Sequence, residues 1–229
     1  MAKGLNQGLS DTLETRNAII SACRWMNSSG INQGTSGNIS VRVGDAGEDM
    51  LITPSGVPYD DLLPEMLVRM GLEDVPVKDG AKLKPSSEWQ FHQALLRSRP
   101  DMNVVLHAHP AYCSALAIVR EPIPACHYMI AAFGGHDVPL TGYHLFGSKE
   151  LADEVCSAMT DRHACLMSNH GATVVGESIE KAIWRLEELE NIARVYTISR
   201  QLGTPVILSR EEMDDVIKAF SNYGPVKVD

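Results

Sequence analysis

His107 and His109 stand one residue apart at the end of a short β-branched run, Val104 to Leu106. Side chains of an extended chain alternate between faces, so both imidazoles point the same way. A divalent cation suits such a pair. Without one, each ring needs its own hydrogen-bond partner, and the two repel if both are charged. Taken alone, the pair is as compatible with two packing histidines as with a metal site. His170, in Ser168-Asn169-His170-Gly171 between two further apolar runs, offers a third imidazole, and Gly171 reads as the residue that lets the chain bend there. Three histidines with one open position are a common catalytic zinc arrangement, in which the ion acts as a Lewis acid on a substrate oxygen. The other histidines, at 92, 127, 136, 144 and 163, read as ordinary surface or core residues.

Pro85-Ser86-Ser87-Glu88 sets two hydroxyls and several free backbone N–H groups at the start of an expected helix, a ready site for an anion. The same features also describe a well-capped helix, with Glu88 facing the favourable end of the helix dipole. Gly34-Thr35-Ser36-Gly37-Asn38 and Thr53-Pro54-Ser55-Gly56 are two more loops rich in donors, each able to cradle phosphate and neither specific for it. Three such loops exceed what turns require.

The elements that must position these groups follow from spacing. A first helix is expected from a cap at Ser10 or Asp11 to about Ser28-Gly30, then short strands at Ile39 to Val43 and Met50 to Thr53. Residues 72 to 84 read as a strand with a surface loop turning at Asp79-Gly80. Ser87 and Gln90 have the spacing of a capping box for the next helix. After the strand carrying the histidine pair, Pro110 opens a helix through Val119. Ala164 to Met167 and Ala172 to Val175 read as strands. The strongest helical period runs from Ser178 to Leu202, stopped by Gly203 and Pro205, and a last helix starts at Ser209 with Glu212 three residues on.

The chain has 229 residues, 44% of them apolar, within the range of one domain closing on one core. No apolar run nears the ~18 residues of a membrane span, and Met1 to Ile20 lacks the pattern of a signal peptide. A soluble, cytoplasmic protein without membrane attachment is expected. Cys23, Cys113, Cys126, Cys156 and Cys165 are odd in number and never in C-x-x-C, arguing against a disulfide framework or a thiolate zinc site. The formal net charge of -9, with no dense Lys/Arg segment, argues against nucleic acid as a partner. A small phosphorylated ligand bound through backbone N–H groups remains compatible with it.

In this order, GTSGNIS from Gly34, TPSG from Thr53, PSSEWQFH from Pro85, HAHP from His107 and NHG from Asn169 resemble the class II aldolase/adducin family. The resemblance extends to HYMIAAFGG at 127–135, FGSKEL at 146–151 and FSNYG at 220–224, and so spans nearly the whole chain. It implies one α/β domain over residues 1–229, a central and mainly antiparallel sheet between helical layers, assembled as a homotetramer with sites at subunit interfaces. It implies an enzyme that cleaves a ketose 1-phosphate, of the fuculose 1-phosphate kind, to dihydroxyacetone phosphate and an aldehyde. The zinc ligands, one ion per subunit, would be His107, His109 and His170, together with Glu88, which also serves as the base. Asn38, Ser55, Gly56, Ser86 and Ser87 match phosphate-binding positions. Tyr128 matches a proton donor reaching in from a neighbouring subunit, and Phe146 and Tyr223 match residues near the aldehyde end. Ser55 stands where this branch of the family carries threonine, a change that keeps the hydroxyl.

Three other readings compete. Sugar-phosphate 4-epimerases and decarboxylases of the same family share the chemistry; Glu88, Tyr128 and Tyr223 favour cleavage. A non-catalytic, adducin-like binding module would be expected to lose metal ligands, and all three histidines are present. A zinc hydrolase of the amidohydrolase type also begins with H-x-H, yet only about 120 residues follow His109, too few for a barrel of about 250.

Overall fold

The computed structural model describes residues 9–73 and 83–221 of the chain. Among them, seven strands form one sheet: β1 (Asn38–Val43), β2 (Asp49–Ile52), β3 (Val68–Gly71), β4 (Val104–Ala108), β5 (Leu140–Thr141), β6 (Ala164–Met167) and β7 (Gly171–Gly176). Their spatial order is β3-β2-β1-β4-β7-β6-β5. Every pairing is antiparallel except that of β5 with β6. Among the described residues, six α-helices accompany the sheet: α1 (Leu13–Ser28), α2 (Trp89–Ser98), α3 (Ala111–Ile118), α4 (Lys149–Ala158), α5 (Ile179–Leu202) and α6 (Arg210–Ser221).

Side-chain alternation divides the sheet between two helical layers. Ile39, Val41, Leu106 and Val174 face α1, α3 and α5 in one apolar cluster. Met50, Ile52, Val105, Cys165 and Val175 face the other way, against Phe91, Leu95 and Leu96 of α2 and Leu151 and Val155 of α4. With both faces covered, the strands read as short apolar runs rather than as alternating patterns. The expected central, mainly antiparallel sheet between helical layers is present. No described helix is long and apolar enough to cross a membrane.

Local chemistry explains where elements start. Ser178, where the helical period was expected to begin, caps α5, accepting from the Lys181 N–H at 3.3 Å, and Ser209 and Glu212 form the expected reciprocal capping box at α6. For α1 the cap is Thr12, accepting from the Thr15 N–H at 3.2 Å, rather than Ser10 or Asp11. Asp11 is instead paired with Arg16. At α2 the capping box of Ser87 and Gln90 does not form: the helix begins one residue later, and its N-cap is Glu88, with no side-chain cap bond. β3 and α4 were not anticipated; the expected strand and turn within 72–84 fall mostly outside the described residues.

His163, just before β6, is a half-buried ring whose Nδ1 lies 3.4 Å from the Ala132 carbonyl. Burial pushes it from 6.5 down to about 4, with Arg185 and Arg99 adding to the effect. An unfolded chain takes up a proton there near its ordinary value, the folded chain only near the lower one. Stability carried by the neutral ring is thus complete above about pH 6.5 and lost as pH falls toward about 4. Calorimetry of metal-free protein should show the melting temperature dropping more steeply over that window than in His163→Gln; equal slopes would remove His163 as a source.

Candidate active site

The centre of the sheet builds the site. Register sets Asn38 of β1 opposite His107 of β4, and His107 opposite Thr173 of β7, so all three share one face. His107 is fully buried. Its Nδ1 lies 2.9 Å from the Ala172 carbonyl, which can only accept, so that nitrogen carries the proton and Nε2 presents a lone pair. His109 follows just past the strand. Its backbone N–H donates to the Asn32 side chain at 3.2 Å, and the Ser36 hydroxyl donates to the same oxygen at 3.1 Å, tying a donor-rich loop to the strand end. His170 sits in the turn from β6 to β7.

That turn corrects one expectation. The residue with left-handed backbone is Asn169, at φ 54, and Gly171 is not among the positive-φ residues. Glycine is required at 171 by proximity: a Cβ there would lie 2.5 Å from the Ala108 carbonyl oxygen and 2.6 Å from Cδ2 of His109.

One nitrogen from each of His107, His109 and His170 lies within 4.8 Å of the others. The Nε2 atoms of His107 and His109 are 3.1 Å apart. Glu88 completes the cluster, with Oε2 at 3.3 Å from His107 Nε2 and Oε1 at 3.3 Å from His170 Nε2. Burial, with His109 adding, pushes His107 down to about 3. Burial, with His107 adding, takes His170 down to about 4. Burial likewise lowers His109, opposed by Glu88. At neutral pH these are uncharged rings beside a carboxylate, not ion pairs. Glu88 Oε1 is buried without a hydrogen-bond partner, and such an orphaned charged acceptor costs upward of about 1–3 kcal/mol. Three neutral imidazoles converging beside an unsatisfied carboxylate oxygen fit a divalent cation.

The cluster opens on a cavity of about 330 Å³ lined by Ser55, Gly56, Ser86, Ser87, Glu88, His109, Phe146 and His170, together with Asn38. Backbone bonds from Ser86 N–H to Thr53 and from Ser55 N–H to Lys84 lay the Thr53 and Pro85 loops side by side. Ser87 is exposed at the start of α2; the Glu88 N–H donates to the Ser86 hydroxyl at 3.3 Å and the Trp89 N–H to the Ser86 carbonyl at 3.1 Å, which leaves the Ser86 hydroxyl its own hydrogen for a ligand. Asn38 is buried; its amide nitrogen donates to Glu88 Oε2 at 2.9 Å and its oxygen bonds to His92.

Tyr128 is not part of this cavity lining; it opens a 3₁₀ segment (Tyr128–Phe133) and is 52% exposed, its ring 6.4 Å from that of Phe220. Tyr223 lies outside the described residues. Sequence reading missed Tyr143, His144 and Asn169, which also line the cavity. The adjacency of Tyr143 and His144 to the FGSKEL motif was the available clue.

Residues 17–197 match the family described as Class II Aldolase and Adducin N-terminal domain. The chain is 43% identical over 207 residues to an L-fuculose phosphate aldolase of Escherichia coli O6:H1, covering 90% of this chain and 94% of the relative. It is 40% identical over 209 residues to a 5-methylthioribulose-1-phosphate/5-deoxyribulose-1-phosphate aldolase of Rhodospirillum rubrum, covering 91% and 92%. A solved L-fuculose 1-phosphate aldolase superposes with a TM-score of 0.87 at 33% identity, over 95% of this chain and 100% of that one.

Gly171→Ala should push the His109 ring aside, lowering cobalt(II) affinity by about tenfold and stability by about 1–3 kcal/mol. Gly203→Ala, with nothing within 4 Å of the added carbon, serves as control in the same titration and denaturant melts. Unchanged cobalt affinity in Gly171→Ala would show that the close approach is not needed.

Proposed function

The chain belongs to the class II aldolase and adducin family, and on that premise we propose that it is a zinc-dependent aldolase cleaving a ketose 1-phosphate to dihydroxyacetone phosphate and an aldehyde. The observation that carries this reading is the orphaned Glu88 carboxylate among three neutral imidazoles, at one side of a cavity whose other side is rich in anion donors. His107, His109 and His170, with Glu88, would hold the ion. Once bound, it would supply Lewis-acid stabilisation of negative charge developing at the substrate's carbonyl end.

The protein's own groups do the rest. Ser55, Ser86 and Ser87, with the N–H of Gly56, would bind phosphate and fix the sugar chain relative to Glu88. Glu88 would carry the proton to and from the hydroxymethyl carbon of the dihydroxyacetone phosphate fragment, C3 of the ketose, a general acid–base task. Asn38 would align that carboxylate and turn its second amide hydrogen to the ligand. Tyr128, exposed on its own subunit, would serve a neighbour's site in a homotetramer, taking the C4 hydroxyl proton in cleavage and donating it back to that oxygen in the reverse direction, with residues 1–229 forming one domain. Phe146 and Tyr223 would border the aldehyde end. The two relatives act, by name, on different sugars, which supports a ketose 1-phosphate while leaving fuculose, ribulose, deoxypentulose and methylthiopentulose forms to be compared.

Each sugar phosphate should be assayed for dihydroxyacetone phosphate release by a coupled dehydrogenase. Chelation should abolish the signal and zinc restore it, and Glu88→Gln should lower kcat by about a hundredfold or more. Ser86→Ala should raise KM by about tenfold, the worth of one hydrogen bond to a charged group. Equal activity in Glu88→Gln removes its role; an epimer or CO₂ in place of triose phosphate replaces cleavage with the epimerase or decarboxylase reading.

A further inference from the structure

His92 belongs to the PSSEWQFH motif, yet nothing in the chemistry above uses it. It lies four residues after Glu88, on the first turn of α2, and is fully buried. Its ring stacks on Phe91, and burial holds it far below the ordinary histidine range, so it is neutral. Its two nitrogens are both engaged. Nδ1 lies 2.8 Å from the Ser40 hydroxyl, and Nε2 bonds to the Asn38 side-chain oxygen.

The direction of each bond follows from the one before it. A carboxylate only accepts, so Asn38 must turn its nitrogen toward Glu88 Oε2, as it does at 2.9 Å. That orientation leaves Asn38 Oδ1 facing His92, and an amide oxygen only accepts, so His92 Nε2 carries the hydrogen. A neutral ring with its hydrogen on Nε2 has a bare Nδ1, which accepts from Ser40. Every hydrogen in the series Ser40, His92, Asn38, Glu88 therefore points toward the carboxylate. All four residues are at most 5% exposed, and Ser40 and His92 are fully buried, so water offers His92 no substitute partner. Ser40 and Asn38 lie two residues apart on β1, and His92 lies on α2 four residues after its N-cap, Glu88. The series thus couples the central sheet to the helix start that carries the carboxylate.

The geometry points to His92 as a positioning residue: its Nε2–H holds Asn38 in the one amide orientation that presents nitrogen to Glu88, keeping the carboxylate aimed at the histidine cluster. Without that donor, the Asn38 oxygen has no partner and the amide is free to turn, setting oxygen against carboxylate. The inference rests on the metal-dependent reading above, and it concerns a residue two contacts removed from the ion site. A partner of this kind is worth about 10- to 100-fold in metal affinity when lost.

Two substitutions separate positioning from packing. His92→Gln keeps an N–H donor at about the reach of Nε2, whereas His92→Asn reaches only as far as Nδ1. Cobalt(II) titration followed by the visible absorption of the bound ion should find His92→Gln within about threefold of the parent and His92→Asn weakened by about tenfold or more, with kcat at saturating cobalt following the same order. Equal losses in both, or no loss in either, overturn the proposal. On the unaltered metal-free protein, nitrogen-15 NMR of labelled histidine should place the His92 proton on Nε2 at neutral pH. A proton on Nδ1 overturns the proposal whatever the variants do. The cobalt and NMR readings need no substrate, so failure of the aldolase reading would show separately, as absent triose phosphate release by the parent enzyme.

Discussion

The convergence of three neutral imidazoles on one buried carboxylate is the constraint from which the rest of this structure follows. With its proton on Nδ1, His107 sets a bare Nε2 3.3 Å from Glu88 Oε2 and 3.1 Å from His109 Nε2, while Glu88 Oε1 lies 3.3 Å from His170 Nε2; the contact of lone pair with carboxylate repels unless positive charge is shared there. Rigid surroundings hold it together. β4 is the middle strand of the sheet, bonded on both sides, and Ala172 fixes the His107 tautomer from the neighbouring strand. Asn32 fastens the backbone of His109 to a surface loop. Such preorganisation is paid for during folding, so that little rearrangement is needed when a ligand arrives.

The cavity has two ends of opposite character. At one, buried imidazoles and a carboxylate gather on regular elements whose positions the core dictates. At the other, Ser55 and Gly56 lie exposed on loops, and Ser87 lies exposed at the start of α2. An anion can therefore be held by a chain of net charge -9, because what it meets is a local concentration of donors rather than the distant field. The aromatic rim is exposed: Tyr143 and Phe146 are 56% and 61% accessible. Loop residues of this kind vary more readily than core residues, which fits a family whose members carry the names of aldolases for different sugars.

Much of this architecture was legible residue by residue. The caps at Ser178 and Ser209 follow from local bonds between a hydroxyl and N–H groups three residues on, and such bonds do not depend on the rest of the fold. The period of two in His107-Ala108-His109 likewise foretold that the rings would share a face. Other readings failed where long-range contacts outweighed local preference. Ser87 and Gln90 have the spacing of a capping box, but the histidine cluster draws Glu88 into the N-cap position and the helix starts after it. Gly171 looked like a hinge; the His109 ring beside it is the reason for glycine, and that ring is 62 residues away in sequence. Asp11 and Ser10 looked like caps for α1, while Arg16 claims the aspartate and Thr12 takes the cap.

His92 marks the boundary most clearly. In the sequence it is one histidine among several, on the buried side of an amphipathic helix, and nothing in its spacing distinguishes it from a packing residue. The sequence by itself determined the residue types capable of chemistry, the covalent spacing that puts pairs of them on one face, and the local caps and turns. Only the tertiary structure decided which of those groups meet, which tautomer each ring adopts and which amide end faces the carboxylate. The physical reason is range: backbone periodicity and capping act over three or four residues, whereas strand register and a buried hydrogen-bond series join positions 38, 88, 107 and 170, which no local rule connects.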